Sequence, residues 1–227
     1  MRLPKSSIGR KAITAITGLI LFGFVVVHML GNLQIFLGQD ALNSYAEHLE
    51  ELVFLLWPAR IFLLITVLVH IGVSLGLALE NKKARPVPYA KKDTVQASLA
   101  SRTMVLTGLI ILLFIVYHLL HFTFGVTNPE FAHLVDLKGR DDVYSMVVLS
   151  FQNYWISGTY VLAMFFLCVH LSHGLASFPQ SLGLNNEKLM PIFKIAARVL
   201  ALAIFVGNSS IPLAILLGIV KLPQAGA

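Results

Sequence analysis

Charge is scarce in this chain. Of 227 residues only 12% are Asp, Glu, Lys or Arg, against roughly a quarter in an ordinary soluble domain. A soluble protein of this size needs far more polar surface to cover its core, so the composition argues against a soluble globular enzyme. Cysteine is nearly missing as well. Cys168 stands alone, so the chain by itself builds no disulfide framework, no four-cysteine zinc site and no iron–sulfur cluster. There is no low-complexity tract and no repeat with a period of roughly 20–50 residues, so a single membrane domain over residues 1–227 is expected. What is abundant is apolar: 57% of residues are hydrophobic, which excludes disorder.

Apolar runs of about 20 residues are long enough to cross a bilayer as helices. Five are present, at residues 13–37, 57–79, 104–125, 155–178 and 195–220. The fold expected is therefore all-α, a bundle of five transmembrane helices. The first run is too long for a cleavable signal, lacks a small-residue cleavage site, and carries His28, Asn32 and Gln34. Residues 40–51 are acidic but place Ala41, Leu42, Tyr45, Leu49 and Leu52 at helical spacing, which predicts a short amphipathic helix on the outer face. Pro86-Val87-Pro88 interrupts the exit of the second span. Residues 80–101 therefore read as a cytoplasmic loop, partly helical near 91–99.

The net charge of +6 has a topological explanation. Thirteen of the 17 Lys and Arg lie in the N-terminal tail (Arg2, Lys5, Arg10, Lys11), between spans two and three (Lys82, Lys83, Arg85, Lys91, Lys92, Arg102), and between spans four and five (Lys188, Lys194, Arg198). Eight of the 11 acids lie on the other side. The positive-inside rule then predicts a cytoplasmic N-terminus and an outer C-terminus. Nucleic acid is not needed to account for the basic excess. The basic face suits anionic lipid or the docking of an acidic partner.

Ionisable groups inside a bilayer are costly and mark function by default. Six of the eight histidines fall within the expected spans: His28, His70, His118, His121, His170 and His173. His48 and His133 fall in outer connections. At about 1.5 Å per residue, His28 and His118 lie roughly 22 and 21 Å from the cytoplasmic ends of their spans, and His70 and His170 roughly 14 and 12 Å. Four helices thus supply one histidine each, at two matched levels. A lone intramembrane histidine is often a hydrogen-bond partner between helices, but two facing pairs are the ligand set of two six-coordinate haems b. His28 pairs with His118 at an outer level, and His70 with His170 at an inner one. His121 and His173 each stand three residues beyond a proposed ligand, on a neighbouring face. They are candidates to support the ligands, a haem propionate or a quinone pocket.

Several segments together carry a resemblance. They are Thr17-Gly18 leading to Val27-His28-Met29-Leu30-Gly31-Asn32-Leu33, then Val69-His70-Ile71, then Thr107-Gly108 followed by Tyr117-His118. The last runs from His170-Leu171-Ser172-His173 through Gly174-Leu175-Ala176-Ser177-Phe178. In order and spacing, over nearly the whole chain, they resemble the five-helix, two-haem cytochrome b anchor of succinate:quinone oxidoreductases. That family spans succinate dehydrogenases and quinol:fumarate reductases. Matched motif by motif, its four axial ligands fall on His28, His70, His118 and His170, paired first with third and second with fourth. No span carries two histidines about four turns apart, the arrangement of the cytochrome b of the bc complexes.

The resemblance implies a non-catalytic electron-transfer subunit with two haems b in a bacterial inner membrane. It implies a flavoprotein partner holding FAD, which interconverts succinate and fumarate, and an iron–sulfur partner docked on the cytoplasmic face. A membrane quinone, by family habit menaquinone, is the substrate. Some fumarate reductases of this type use a glutamate near the start of span two at the quinone, and that position falls on Glu50, with Tyr45 and His48 as further polar candidates. Two other readings compete. One is a haem-free transporter or proton channel with a histidine relay, although paired broken helices and an inverted repeat are missing. The other is the haem b subunit of a different oxidoreductase, such as a hydrogenase or formate dehydrogenase.

Overall fold

A computed structural model describes residues 6–84, 98–184 and 186–223. Among them the secondary structure is helical, with a single isolated bridge between Val135 and Asp141. The α-helices in chain order are α1 (Ser7–Asn32), α2 (Gln39–Glu51), α3 (Val53–Lys83), α4 (Leu99–Arg102), α5 (Met104–His118), α6 (Val143–Phe151), α7 (Tyr154–Ser181) and α8 (Met190–Leu216). Helix α1 runs on into a 3₁₀ turn, Leu33–Leu37, and α5 into a π turn, Leu119–Thr123. Five helical stretches are long and apolar enough to cross a membrane: Ser7–Leu37, Val53–Lys83, Met104–Thr123, Tyr154–Ser181 and Met190–Leu216. The chain is thus a multi-pass, all-helical membrane protein by length and composition.

Most observed helices outrun the apolar runs that predict them, because polar residues at the ends still satisfy the helical ladder. The third ends two residues short of its run, at Thr123, and the fifth begins early but also ends short, at Leu216. Gly218 takes φ +67°, and the Ile219 and Gly218 amides turn back to the Ala214 and Ile215 carbonyls. Such a glycine ends a helix, so α8 stops at Leu216 although the apolar run continues to Val220. The expected helical stretch at 91–99 lies outside the described residues except for its end. There Ser98 Oγ accepts the Ser101 amide at 3.1 Å and caps the single turn α4.

Side-chain exposure is inverted relative to a water-soluble fold. Phe54 is 98% exposed and Leu113 71%, while Thr66, Thr107, His121, Ser157 and Ser209 are buried. Apolar side chains turned outward and small or polar ones turned inward are what helix packing in lipid requires.

By contacts the chain divides into two compact units, and each of the five long helices contributes a segment to both. One unit takes Met1–Phe24, Arg60–Leu109 and Leu167–Leu202, and the other Val25–Ala59, Ile110–Phe166 and Ala203–Ala227. In the first, Arg10 of α1 forms a two-toothed ion pair with Glu80 of α3. The second has a hydrophobic core including Ile35, Leu42, Val148, Phe151 and Tyr160.

The expected amphipathic helix is α2, which packs on the 3₁₀ turn and on α6. Helix α6 has no counterpart in the sequence reading. Its nine residues are too few to stand out as a span, and the Asp142 side chain starts it by accepting the Ser145 amide at 3.0 Å. Tyr144, Val148 and Phe151 then bury one face.

A polar network ties α2 to the segment before α6. Asn43, 0% exposed, donates to Asp142 Oδ1 at 3.0 Å and Asp136 Oδ2 at 3.2 Å, and accepts the Tyr144 amide at 2.9 Å. Gln39 donates to Asp142 Oδ2 at 2.8 Å. Arg140 reaches Asp136, Asp40 and Ser44. The Arg140 hydrogen bond holds the Asp136 carboxyl well below the usual carboxylate range. Burial alone would raise Asp142, but hydrogen bonds from Ser145, Asn43 and Gln39 outweigh it and hold it low.

Candidate functional site

In the first unit the site is built from two Thr-Gly pairs and two histidines. Thr17 of α1 lies with Oγ1 3.0 Å from His70 Nδ1 on α3. Its one hydroxyl proton is directed to the Ile13 carbonyl at 2.8 Å, one turn back. The oxygen is therefore left to accept, and His70 carries its proton on Nδ1. The imidazole also meets the Thr14 carbonyl, which can only accept. Thr107 of α5 repeats the device. Its Oγ1 bonds the Thr103 carbonyl at 3.0 Å and lies 3.1 Å from His170 Nδ1 on α7, with the Met104 carbonyl as the ring's further acceptor.

The glycine beside each threonine makes room for the ring. A Cβ on Gly18 would come within 3.2 Å of His70 Cε1, and one on Gly108 within 3.4 Å of His170 Cε1. Both imidazoles are thus clamped at Nδ1, which leaves the lone pair on Nε2. His70 and His170 lie near enough to interact electrostatically, and His173 neighbours His170.

Among the described residues of this unit, Arg10 Nε, Thr14 Oγ1 and Ser74 Oγ are buried donors without a hydrogen-bond partner. Helices α1 and α3 run in a register that sets Thr17 against His70 and Arg10 against Glu80. Thr14 and Ser74 therefore fall between those contacts.

In the second unit His28 of α1 and His118 of α5 face each other with ring centroids 5.8 Å apart and planes at 90°. His118 Nδ1 lies 3.4 Å from the Tyr160 hydroxyl of α7, which also lies 2.8 Å from His121 Nδ1. Spacing of three residues alone sets His121 on a neighbouring face of the helix. The π turn that begins at Leu119 re-aims it, and His121 is buried at 2% exposure against Phe122 and Tyr117. A Cβ on Gly207 of α8 would meet the side chain of Met29, the residue after His28, which would have to shift.

The remaining candidates do not converge on one point. Tyr45 lies on α2 against Gly31, where an added Cβ would meet its hydroxyl at 2.6 Å. His48 is exposed, 3.9 Å from Glu51. Glu50 is exposed near the end of α2, about 140° around the helix from Tyr45 at 100° per residue. His133 is exposed on its loop.

The sequence carried a signal for the Thr-Gly anchors that the spacing of histidines alone did not use. Thr17 precedes His28 by 11 residues and Thr107 precedes His118 by 11. Eleven residues are close to three turns, so threonine and histidine share a face. Tyr160 had no such signal, because its role depends on how α7 meets α5.

Among the described residues no cluster of three or more His, Cys, Asp or Glu is placed to hold a bare metal ion. The donor sets are pairs of imidazoles, which suit a metal whose other positions are filled by a macrocycle. The His28 and His118 rings, with centroids 5.8 Å apart, stand close enough to share one such group. The unpartnered donors of Arg10, Thr14 and Ser74 fit the carboxylates such a macrocycle carries. No protein-family model, no curated protein and no solved structure matches the chain.

Proposed function

We propose that the chain is the cytochrome b membrane anchor of a succinate:quinone oxidoreductase, a succinate dehydrogenase or fumarate reductase. In this role it carries electrons between an iron–sulfur subunit and membrane quinone. His28 and His118 would hold one haem b, and His70 and His170 the other. The haems supply reversible one-electron chemistry at iron. The observation that carries the reading is the sorting of four histidines of the long helices into two pairs, one in each compact unit, with His70, His118 and His170 each held through Nδ1. A hydrogen bond at the far nitrogen is the usual companion of a metal-bound imidazole, fixing tautomer and orientation. A histidine serving only as a helix–helix hydrogen-bond partner needs no opposing imidazole and no cleared space beside its ring.

The protein's own residues do the remaining work. Thr17 and Thr107 hold protons at Nδ1 of the inner ligands. Gly18 and Gly108 allow the rings to seat. Arg10, Thr14 and Ser74 offer donors to a propionate. The choice of this family over other haem b oxidoreductases rests on the motif order along the chain. That choice brings with it a flavoprotein with FAD, an iron–sulfur subunit on a cytoplasmic face, menaquinone as substrate and a bacterial inner membrane. The positive-inside distribution supports a cytoplasmic N-terminus.

The test is purification from the native membrane under mild detergent. The expected result is co-purification with a flavoprotein and an iron–sulfur protein, with succinate reducing a b-type haem spectrum. Co-purification with hydrogenase or formate dehydrogenase subunits would overturn the family assignment. A colourless protein would overturn the haem reading.

A further inference from the structure

The second unit places a tyrosine between two histidines, and the count of protons on the three side chains gives that chain a direction. We propose that Tyr160 and His121 are positioning residues that together hold the coordinating nitrogen of His118. The inference rests on the haem reading above and deepens it.

Coordination through His118 Nε2 requires the proton on Nδ1, which then donates to the Tyr160 oxygen at 3.4 Å. Tyr160 has one proton of its own. The acceptor within reach is His121 Nδ1, at 2.8 Å. His121 must then carry its proton on Nε2, and that atom is buried with no hydrogen-bond partner among the described residues. Rings close over the group: Phe122 stacks on His121 with centroids 4.0 Å apart, Tyr117 at 5.5 Å, and Phe114 and Phe151 lie edge-on to Tyr160 at 5.0 and 4.9 Å. Enclosure of this kind keeps water from substituting for any member, so the order of donors is held by the protein alone.

The two sites are therefore anchored by different chemistry. At His70 and His170 the acceptor is a threonine whose proton is already directed to its own helix, a fixed arrangement. At His118 the acceptor is a phenol whose own proton is held by a second imidazole. A hydrogen bond at Nδ1 makes the coordinated imidazole a stronger donor and favours the oxidised metal. Whatever strengthens or removes the Tyr160–His121 link is then read at the metal as a change in potential. The π turn at Leu119 serves this arrangement, since it turns His121 onto Tyr160.

The experiment is an optical redox titration, with low-temperature EPR, on the haem-loaded full chain and its variants. Tyr160→Phe keeps the ring packing and removes the hydroxyl. Both haems are expected to remain. The midpoint potential of the haem lost in His118→Ala is expected to rise and its low-spin g values to shift, while the other haem is unmoved. His121→Leu is expected to give a smaller shift in the same direction. The double variant should match Tyr160→Phe alone, because the histidine acts through the phenol. His121→Gln, which keeps an acceptor for the hydroxyl, should lie nearer wild type than His121→Leu. Unchanged potentials and g values in Tyr160→Phe overturn the proposal, as do additive shifts in the double variant or equal shifts in the Gln and Leu variants. Wild-type protein without haem overturns the haem reading itself, and the proposal with it.

Discussion

Thr17→Val is the most informative single change, since valine keeps the branched shape and removes only the oxygen. Thr17 Oγ1 gives its proton to its own helix, to the Ile13 carbonyl at 2.8 Å with the Thr14 carbonyl at 3.2 Å beside it, and accepts from His70 Nδ1 at 3.0 Å. Losing the first is mild, because the Ile13 carbonyl keeps its helical partner. Losing the second strips the ring of its side-chain acceptor. A buried donor left unpaired costs about 1–3 kcal/mol. The Thr14 carbonyl retains part of the ring's hydrogen bonding, which places the expected loss near the lower end, about 1–2 kcal/mol. That corresponds to roughly 5–30-fold weaker binding of the inner haem, on the scale of about 1.4 kcal/mol per tenfold, with the outer haem unaffected. Thr107→Val should weaken the same haem, because its partner is His170 of the same pair. Thr17→Ser should restore most of the affinity. The assay is haem titration of apoprotein in detergent, read at the Soret band, with the two haems resolved by redox titration. Equal affinity in Thr17→Val, or weakening of the outer haem instead, would rule out the Thr17–His70 bond as a support of the inner haem.

Three further outcomes are expected. His70→Ala and His170→Ala should each remove one and the same haem, and His28→Ala and His118→Ala the other, by pyridine haemochrome and redox titration; His173→Ala should leave both. The Asp136 carboxyl is held low chiefly by Arg140, so its stabilising contribution is present above the unfolded value of about 3.9 and lost as pH falls through the lower folded value. Thermal melts should therefore be insensitive to this group above about pH 5 and fall below about pH 4, and Arg140→Gln should lower the melting temperature near neutral pH and reduce the acid dependence. Glu50→Gln should keep both haems and dye-linked succinate oxidation while lowering quinone-linked turnover by roughly 10²-fold, as expected for loss of a general acid–base group. Unchanged quinone-linked turnover would remove Glu50 from the quinone site.

How much was legible in the sequence differs from element to element. The five long helices were, because a run of about 20 apolar residues leaves the backbone few alternatives in lipid. Their ends were less so: Gly218 ends α8 through a backbone conformation that hydropathy does not register. Helix α6 was hidden in a connection, since its burial comes from packing with α2 rather than from its own length. Depth arithmetic brought His28 and His118 to one level, and the rings do face each other at 5.8 Å. It could not reveal Tyr160 or the re-aiming of His121, which depend on a π turn and on the meeting of α5 with α7. Asp136 and Arg140 stand in the sequence simply as charges of a connection, yet their side chains are only 4% and 8% exposed and are bonded to each other. Pairing of that kind is a tertiary fact with no local signature.

The central claim is that each chain holds two haems b between two histidine pairs. The most direct measurement is pyridine haemochrome content per mole of purified chain. About two haems b are expected, both low-spin with two imidazole ligands by EPR. A value near zero would mean that the histidine pairs hold no haem, and a value near one would break one of the two pairs.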